Sequence, residues 1–403
     1  MKQATLNSNT NSISTKITLL VISTLTVMSG ATIAPSLPAM QEHFANIENA
    51  DYLVKLALTL PALFIALGAP LVGIIIDKLG RKPLLIIALI LYGIAGSSGL
   101  ILNSLNLILM GRALLGVSVA GIMTTATTLI ADYYIGAARA QFLGLQAAFM
   151  GLGGVFFLSF GGIIADQNWR YPFGIYSFSL LLVPCAFSFL VEPKRNQPVN
   201  LNPGMFTDTP QRLPINLIII TYGIGILTQI VFYLIPVQLP FYLKQLFNAG
   251  ASQSGMAIAL ATLFSAIASL LYRQIKAKLS FIAIYGIAFL NMGIGYYFIS
   301  LGQNYAIVLF GLAIAGSGLG LLMPNMNFYL TSVTPDEMRG KILSGVTTSL
   351  FLGQFLSPLL SQPLSFRLGL ANTYASGGSF MLVLAAVALM TLWNFRGKKI
   401  SHK

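Results

Sequence analysis

The sequence predicts an all-α integral membrane protein, with twelve transmembrane helices arranged as two pseudo-symmetric six-helix bundles. Three observations carry that reading. Charged residues make up 8% of the 403-residue chain and hydrophobic ones 56%, whereas a soluble protein carries roughly 25% charge. The apolar residues fall into long runs separated by short polar loops. And the second half of the chain repeats features of the first at a near-constant offset.

A hydrocarbon core about 30 Å thick takes about 20 apolar residues per helix. That ruler marks spans in the first half at roughly 17–40, 53–76, 83–102, 106–130, 142–165 and 171–191. The first is too long for a signal-peptide core and lacks a cleavage site, so it is retained as a helix. The loop after it carries Glu42, Glu48 and Asp51 and no cation, which suits the outer side. Between the second and third spans, Gly73-Ile-Ile-Ile-Asp77-Lys78-Leu79-Gly80-Arg81-Lys82 packs an acid and three cations into a short loop. Arg112 interrupts the fourth run, and Asp132 and Arg139 bracket the loop after it. The segment 192–213, rich in proline and polar residues, is a cytoplasmic linker that separates an N-terminal bundle (1–191) from a C-terminal one (214–403). The remaining spans fall at roughly 214–238, 254–272, 279–299, 305–330, 343–365 and 373–394.

The net charge of +13 would suit a nucleic-acid binder, but 18 of the 23 Lys and Arg fall on one side of this topology. That is the positive-inside bias that orients helices in a bilayer. It needs no polyanionic partner and places both termini in the cytoplasm. Cys185 is the only cysteine, and the two histidines, His43 and His402, lie in a loop and the tail. No metal site, cofactor or catalytic cluster is expected, so an enzyme is not the reading.

The repeat is specific. Gly111, Ala113 and Gly116 recur as Gly311, Ala313 and Gly316, and Arg139 recurs as Arg339, each offset by 200 residues; Leu37-Pro38 recurs as Leu239-Pro240, offset by 202. Parallel repeats with substrate bound between them describe a rocking transporter. Twelve helices, this repeat and the 73–82 string together resemble the major facilitator superfamily, in its twelve-helix drug:proton antiporter branch. Also similar are Arg112-x-x-x-Gly116, Ala34-Pro35-Ser36-Leu37-Pro38, Trp169-Arg170-Tyr171-Pro172-Phe173 and Pro335-x-x-x-Arg339-Gly340. Two departures stand out. Gly161-Gly162 is present in the fifth span, but the preceding Gly-Pro position reads Phe157-Leu158; and Tyr272–Lys278 keeps the cations of the loop string without its acid and glycines.

The resemblance implies a secondary transporter in a bacterial inner membrane, working as a monomer and exporting a small-molecule substrate against protons. It further implies a conformational latch of Gly73, Asp77, Gly80, Arg81, Asp132 and Arg339. In it Asp77 sits against the cytoplasmic start of the eleventh helix and Arg81 pairs with Asp132. A carboxylate is favoured at a helix N-terminus, Gly73 permits close helix approach and Gly80 a turn with positive φ. The plainer alternative is a basic loop that only orients two helices.

Arg112 lies about six residues into its span, and an ionisable residue at that depth is by default a functional hypothesis. Gly116, Ala120, Met123 and Thr127 continue its face as a stripe suited to a cavity. The alternative is an arginine that snorkels to the interface. No Asp or Glu lies mid-span, so the cavity is expected to prefer neutral, zwitterionic or anionic compounds, and the proton carrier is unnamed. Gln146, Tyr222, Gln229, Tyr233, Gln238, Asn325, Asn327 and Gln354 are candidate cavity residues, each also capable of helix–helix hydrogen bonding. Lys55 with Asp51, and Arg367, read as interfacial anchors. A dedicated exporter of one metabolite such as a siderophore, and a transport-like sensor, are the alternatives to broad export.

Overall fold

The computed structural model describes residues 12–193 and 214–400. Linker positions 194–213 lie outside the described residues, as do the side chains of Asp77, Asp336 and Glu337. The described chain is helical and contains no strand. The first half comprises α1 (Ile13–His43), α2 (Ala50–Leu79), α3 (Arg81–Leu100), α4 (Leu105–Tyr133), α5 (Gly136–Ala165) and α6 (Tyr171–Phe189). The second begins with α7 (Ile215–Phe247), α8 (Ala251–Lys278), α9 (Phe281–Leu301) and α10 (Tyr305–Val333). The last apolar stretch, Met338–Trp393, runs 56 residues, about 84 Å at 1.5 Å per residue and far more than one crossing. Within it Gly369 has φ 78° and ψ 165°, a conformation open to glycine because it lacks Cβ. It divides the stretch into α11 (336–368) and α12 (370–400), which completes the twelve expected spans.

Packing repeats between the halves. α1 packs on α5, α2 on α4, and α3 on α4 and α6; likewise α7 packs on α11, α8 on α10, and α9 on α10 and α12. The duplicated glycines explain the match. A Cβ on Gly116 would strike the Pro61 carbonyl of α2, and one on Gly316 the Ala261 carbonyl of α8. Gly111 sits on Ala95 of α3 and Gly311 on Gly295 of α9. Without hydrophobic drive between helices in lipid, such close backbone approach is what holds them. The halves meet along two seams, α5 against α8 and α2 against α11.

Two helices are broken at corresponding places. Proline lacks the N–H that continues a helix. α1 passes at Ala34–Ser36 through a 3₁₀ turn containing Pro35, and α7 is interrupted at Tyr233, three residues ahead of Pro236. The breaks face one another: a Cβ on Gly30 would stand 3.2 Å from the Tyr233 hydroxyl. The end of the molecule carrying Arg81, Lys82, Arg139 and Arg273 is the basic end below; the other is the far end.

Candidate functional site: a cavity between the halves

Beneath these breaks lies a cavity of about 290 Å³ lined from both halves. Thr26 and Ser29 of α1, Leu58 and Pro61 of α2, Met123 of α4 and Met150 of α5 form one wall. Gln229 and Tyr233 of α7, Thr262 and Ser265 of α8, and Phe351 and Gln354 of α11 form the other. Among the described residues, no charged side chain lines it. Three of its hydroxyls are already committed as donors: Thr26 donates to the Ser23 carbonyl at 2.8 Å, Ser29 to the Thr26 carbonyl at 3.0 Å and Thr262 to the Ile258 carbonyl at 3.1 Å. Their oxygens therefore face the cavity as acceptors. Gln229, 5% exposed, has an Oε1 with no partner among the described residues.

Arg112 lies just behind this wall and does not snorkel, being 0% exposed. Its Nε donates to the Ala57 carbonyl of α2 at 2.7 Å and its Nη2 to the Ser29 carbonyl of α1 at 2.6 Å. Tyr176 shares the Ser29 acceptor at 3.1 Å and turns its ring toward the guanidinium, 5.2 Å away. Arg112 thus ties α4 to α1 and α2 just before the α1 break, with Nη1 buried and without a described partner.

Of the eight candidate cavity residues, Gln229, Tyr233 and Gln354 line the cavity. The others are placed differently. Gln146 donates to the Ser23 hydroxyl at 2.8 Å, Tyr222 to the Ile342 carbonyl at 2.8 Å, and Asn325 bonds Tyr272 and the Phe281 carbonyl at 3.1 Å each. Asn327 is exposed, and Gln238 is buried in the far-end seam against Ser361 at 3.1 Å. The stripe behind Arg112 is likewise mostly packing: Gly116 abuts α2, Ala120 meets Gly68, and only Met123 reaches the cavity. Thr26, Ser29, Thr262 and Ser265 escaped the sequence reading because hydroxyls abound in every span.

At the far end the halves are bonded across both seams. Glu42 of α1 pairs with Lys244 of α7. Tyr52 of α2 donates to the Leu359 carbonyl of α11 at 2.8 Å. Asp166, just past α5, accepts from the backbone N–H groups of Ala251 and Ser252 at 2.6 and 3.2 Å, capping α8. Small residues bring the two backbones together there, since a Cβ on Gly255 would stand 2.5 Å from the Leu158 carbonyl and one on Gly162 2.7 Å from that of Ala251. The interfacial-anchor reading of Lys55 is overturned. It is 4% exposed and donates across the seam to Gln362 of α11.

At the basic end Gly73, Gly144, Gly223 and Gly340 have nothing within 4 Å of where a Cβ would stand. Gly73 therefore makes no close helix approach in this state; the approach expected of it belongs to the state in which the basic end is shut. Arg81 Nε pairs with Asp132 Oδ2 at 3.2 Å, and Gly80 turns the chain with φ 94°. The contact that Asp77 was expected to make with α11 lies outside the described residues. Arg339 donates to the Thr331 carbonyl of its own half at 3.0 Å. Glu192, unremarked in the sequence, caps α3 by accepting from Arg81 N and Lys82 N at 2.8 and 2.6 Å. Among the described residues, the molecule is thus closed at the far end and open at the basic end.

A family model described as Major Facilitator Superfamily matches residues 19–358, with a second match over 221–400. Among characterised proteins, the chain is 27% identical over 173 residues to the inner membrane transport protein YnfM of Escherichia coli, covering 42% of this chain and 41% of that protein. It is 30% identical over 129 residues to multidrug resistance protein 1 of Bacillus subtilis, covering 32% and 33%. These alignments span less than half of either relative's length. Among solved structures, a D-xylose-proton symporter superposes with a TM-score of 0.79 at 16% identity, covering 93% of this chain and 96% of that one. A bacterial homologue of the human lysosomal transporter Spinster, in an inward-facing and occupied conformation, superposes at 0.73 and 17% identity, covering 93% and 94%.

Proposed function

This chain belongs to the major facilitator superfamily, and on that premise we propose that it exports small neutral organic compounds from the cytoplasm by alternating access, driven by proton antiport. The observation that carries the reading is the cavity lining: uncharged, shared by both halves, and offering acceptors from Gln229, Ser29, Thr26 and Thr262 among Met and Phe side chains. Buried acceptors left without donors cost about 1–3 kcal/mol each. The preferred substrate is therefore an apolar body bearing N–H or O–H groups. Cations and anions would enter without a countercharge on the lining, at a large desolvation cost. Resemblance to a multidrug resistance protein supports export, and the basic end is assigned to the cytoplasm by the positive-inside rule. The moving bodies are the bundles 1–191 and 214–403, joined by 192–213 in a monomer. The loop Gly73–Lys82 is the latch that re-forms when the basic end closes, with Asp77 on the start of α11.

A dedicated exporter of one anionic metabolite is the second reading, favoured by Nη1 of Arg112, buried behind the wall without a described partner. Everted membrane vesicles separate the two. Size-matched neutral, cationic and anionic compounds differing in N–H and O–H count are tested with and without a protonophore. Accumulation of neutral donor-bearing compounds, abolished by the protonophore, is the expected result. Preference for anions would favour the second reading, and preference for cations would overturn both.

A further inference from the structure

Two charged side chains are buried in the described membrane-spanning region, Arg112 and Lys55. An arginine keeps its proton under physiological conditions, whereas a lysine readily changes state when its surroundings change. Carboxylates are absent from mid-span positions. Lys55 is thus the buried side chain chemically able to bind and release a proton.

Its surroundings join that chemistry to the conformational change. The amine donates to Gln362 Oε1 of α11 and lies 4.5 Å from the ring centroid of Phe241 on α7. Gln362 in turn donates to Asp51 Oδ2 at 2.8 Å, and its Oε1 also accepts from Gln238 of α7 at 3.3 Å. The charged groups nearby are Asp51, one turn up the same helix and one amide removed, and the Glu42–Lys244 pair of α1 and α7, which lines the far-end vestibule with Asp51 and Phe241. α11 contributes the neutral Gln362 and Ser361. Gln362 and Phe241 both belong to the opposite half. Opening the far-end seam removes them together and leaves the amine in vestibule water. In the other direction, Leu58, one turn along α2, lines the central cavity.

We propose that Lys55 is the proton-carrying group of this transporter. With the far end open, the amine takes a proton from outside water and becomes an ammonium. With the seam closed and the cavity facing the basic end, that proton passes to cavity water and leaves on the cytoplasmic side, returning the neutral amine. One proton moves inward per neutral molecule moved outward, so each cycle carries one positive charge and membrane potential alone drives export. This inference rests on the proton-antiport reading above.

The test uses full-length protein with Cys185→Ser, spin-labelled at Glu48→Cys and Arg367→Cys on opposite halves of the far end, carrying Lys55, Lys55→Arg or Lys55→Gln. Without substrate, the far-end distance distribution is expected to change with pH in the Lys55 protein. In Lys55→Arg the seam still closes, but the pH response is lost, as it is in Lys55→Gln. A merely structural contact would let arginine restore the response. In proteoliposomes holding a neutral compound from the vesicle panel, both variants are expected to keep exchange of labelled for unlabelled compound. Both lose at least tenfold in uphill accumulation driven by pH or potential. A wild-type pH response or uphill accumulation in either variant overturns the assignment. Protonophore-insensitive transport by the unmodified protein would instead overturn the antiport reading itself.

Discussion

Arg112 shows how one residue can be legible in kind and not in role. Its depth marked it as significant, and the structure turns that into a brace: a planar fork whose nitrogens reach carbonyls on two different helices, Ala57 and Ser29. Lysine carries the same charge on a single point donor and cannot span both. Arg112→Lys is therefore expected to destabilise the protein by about 2 kcal/mol, the scale of a lost hydrogen bond from a charged group, and to reduce export at least tenfold. A thermal melt in detergent and vesicle uptake check the two effects, and wild-type values in both would remove the bracing role. Other side chains were harder to read. Gln229 and Gln146 look alike in sequence, yet one faces the cavity and the other Ser23, because rotation about a helix axis is set by packing and every face of these spans is apolar. Lys55 has the helix position of an interfacial anchor, and it is buried by α7 and α11, both distant in sequence.

At the scale of elements, far more was legible. Hydropathy delimits the spans, and the duplicated glycines reappear as duplicated contacts, since a missing Cβ leaves a mark on the chain and on the packing alike. Helix ends were less legible. Capping of α8 by Asp166 joins residues 85 apart and has no local signature, and the same holds for Glu192 on α3. Asp166 places a carboxylate on a helix start across the seam, the kind of contact expected of Asp77 at the other end. Asp166→Asn removes the charge and keeps the shape. Such an interaction is worth about 0.3–1 kcal/mol at an exposed helix start, so the far end is expected to open a few-fold more often. Reaction of a cysteine at Ser254, 2% exposed beside the α5–α8 seam, in protein with Cys185→Ser, with a membrane-impermeant thiol reagent measures this; an unchanged rate would show that the cap does not hold the seam.

For the whole molecule, two seams bonded at the far end and open at the basic end are the arrangement that the proposed pivoting of the halves about the cavity requires. Glu42 and Lys244 are close enough to pair, so cysteines at both positions, with Cys185→Ser, permit a short cross-link that holds the far end shut. Export is expected to stop on cross-linking and to recover on cleavage of the linker, while substrate still binds from the basic end. Transport at wild-type rates by the cross-linked protein would exclude a pivoting mechanism.

The shared ownership of the cavity also sorts its visitors by reach. A ligand shifts a two-state equilibrium only by as much as it prefers one state, and that preference arises from gripping both walls as they turn. A compound long enough to touch Ser29 on one side and Gln354 on the other would be carried. A smaller one, satisfied by Gln229 and Tyr233 alone, would sit equally well in either state, move nothing, and block the way: the same pocket would make it an inhibitor.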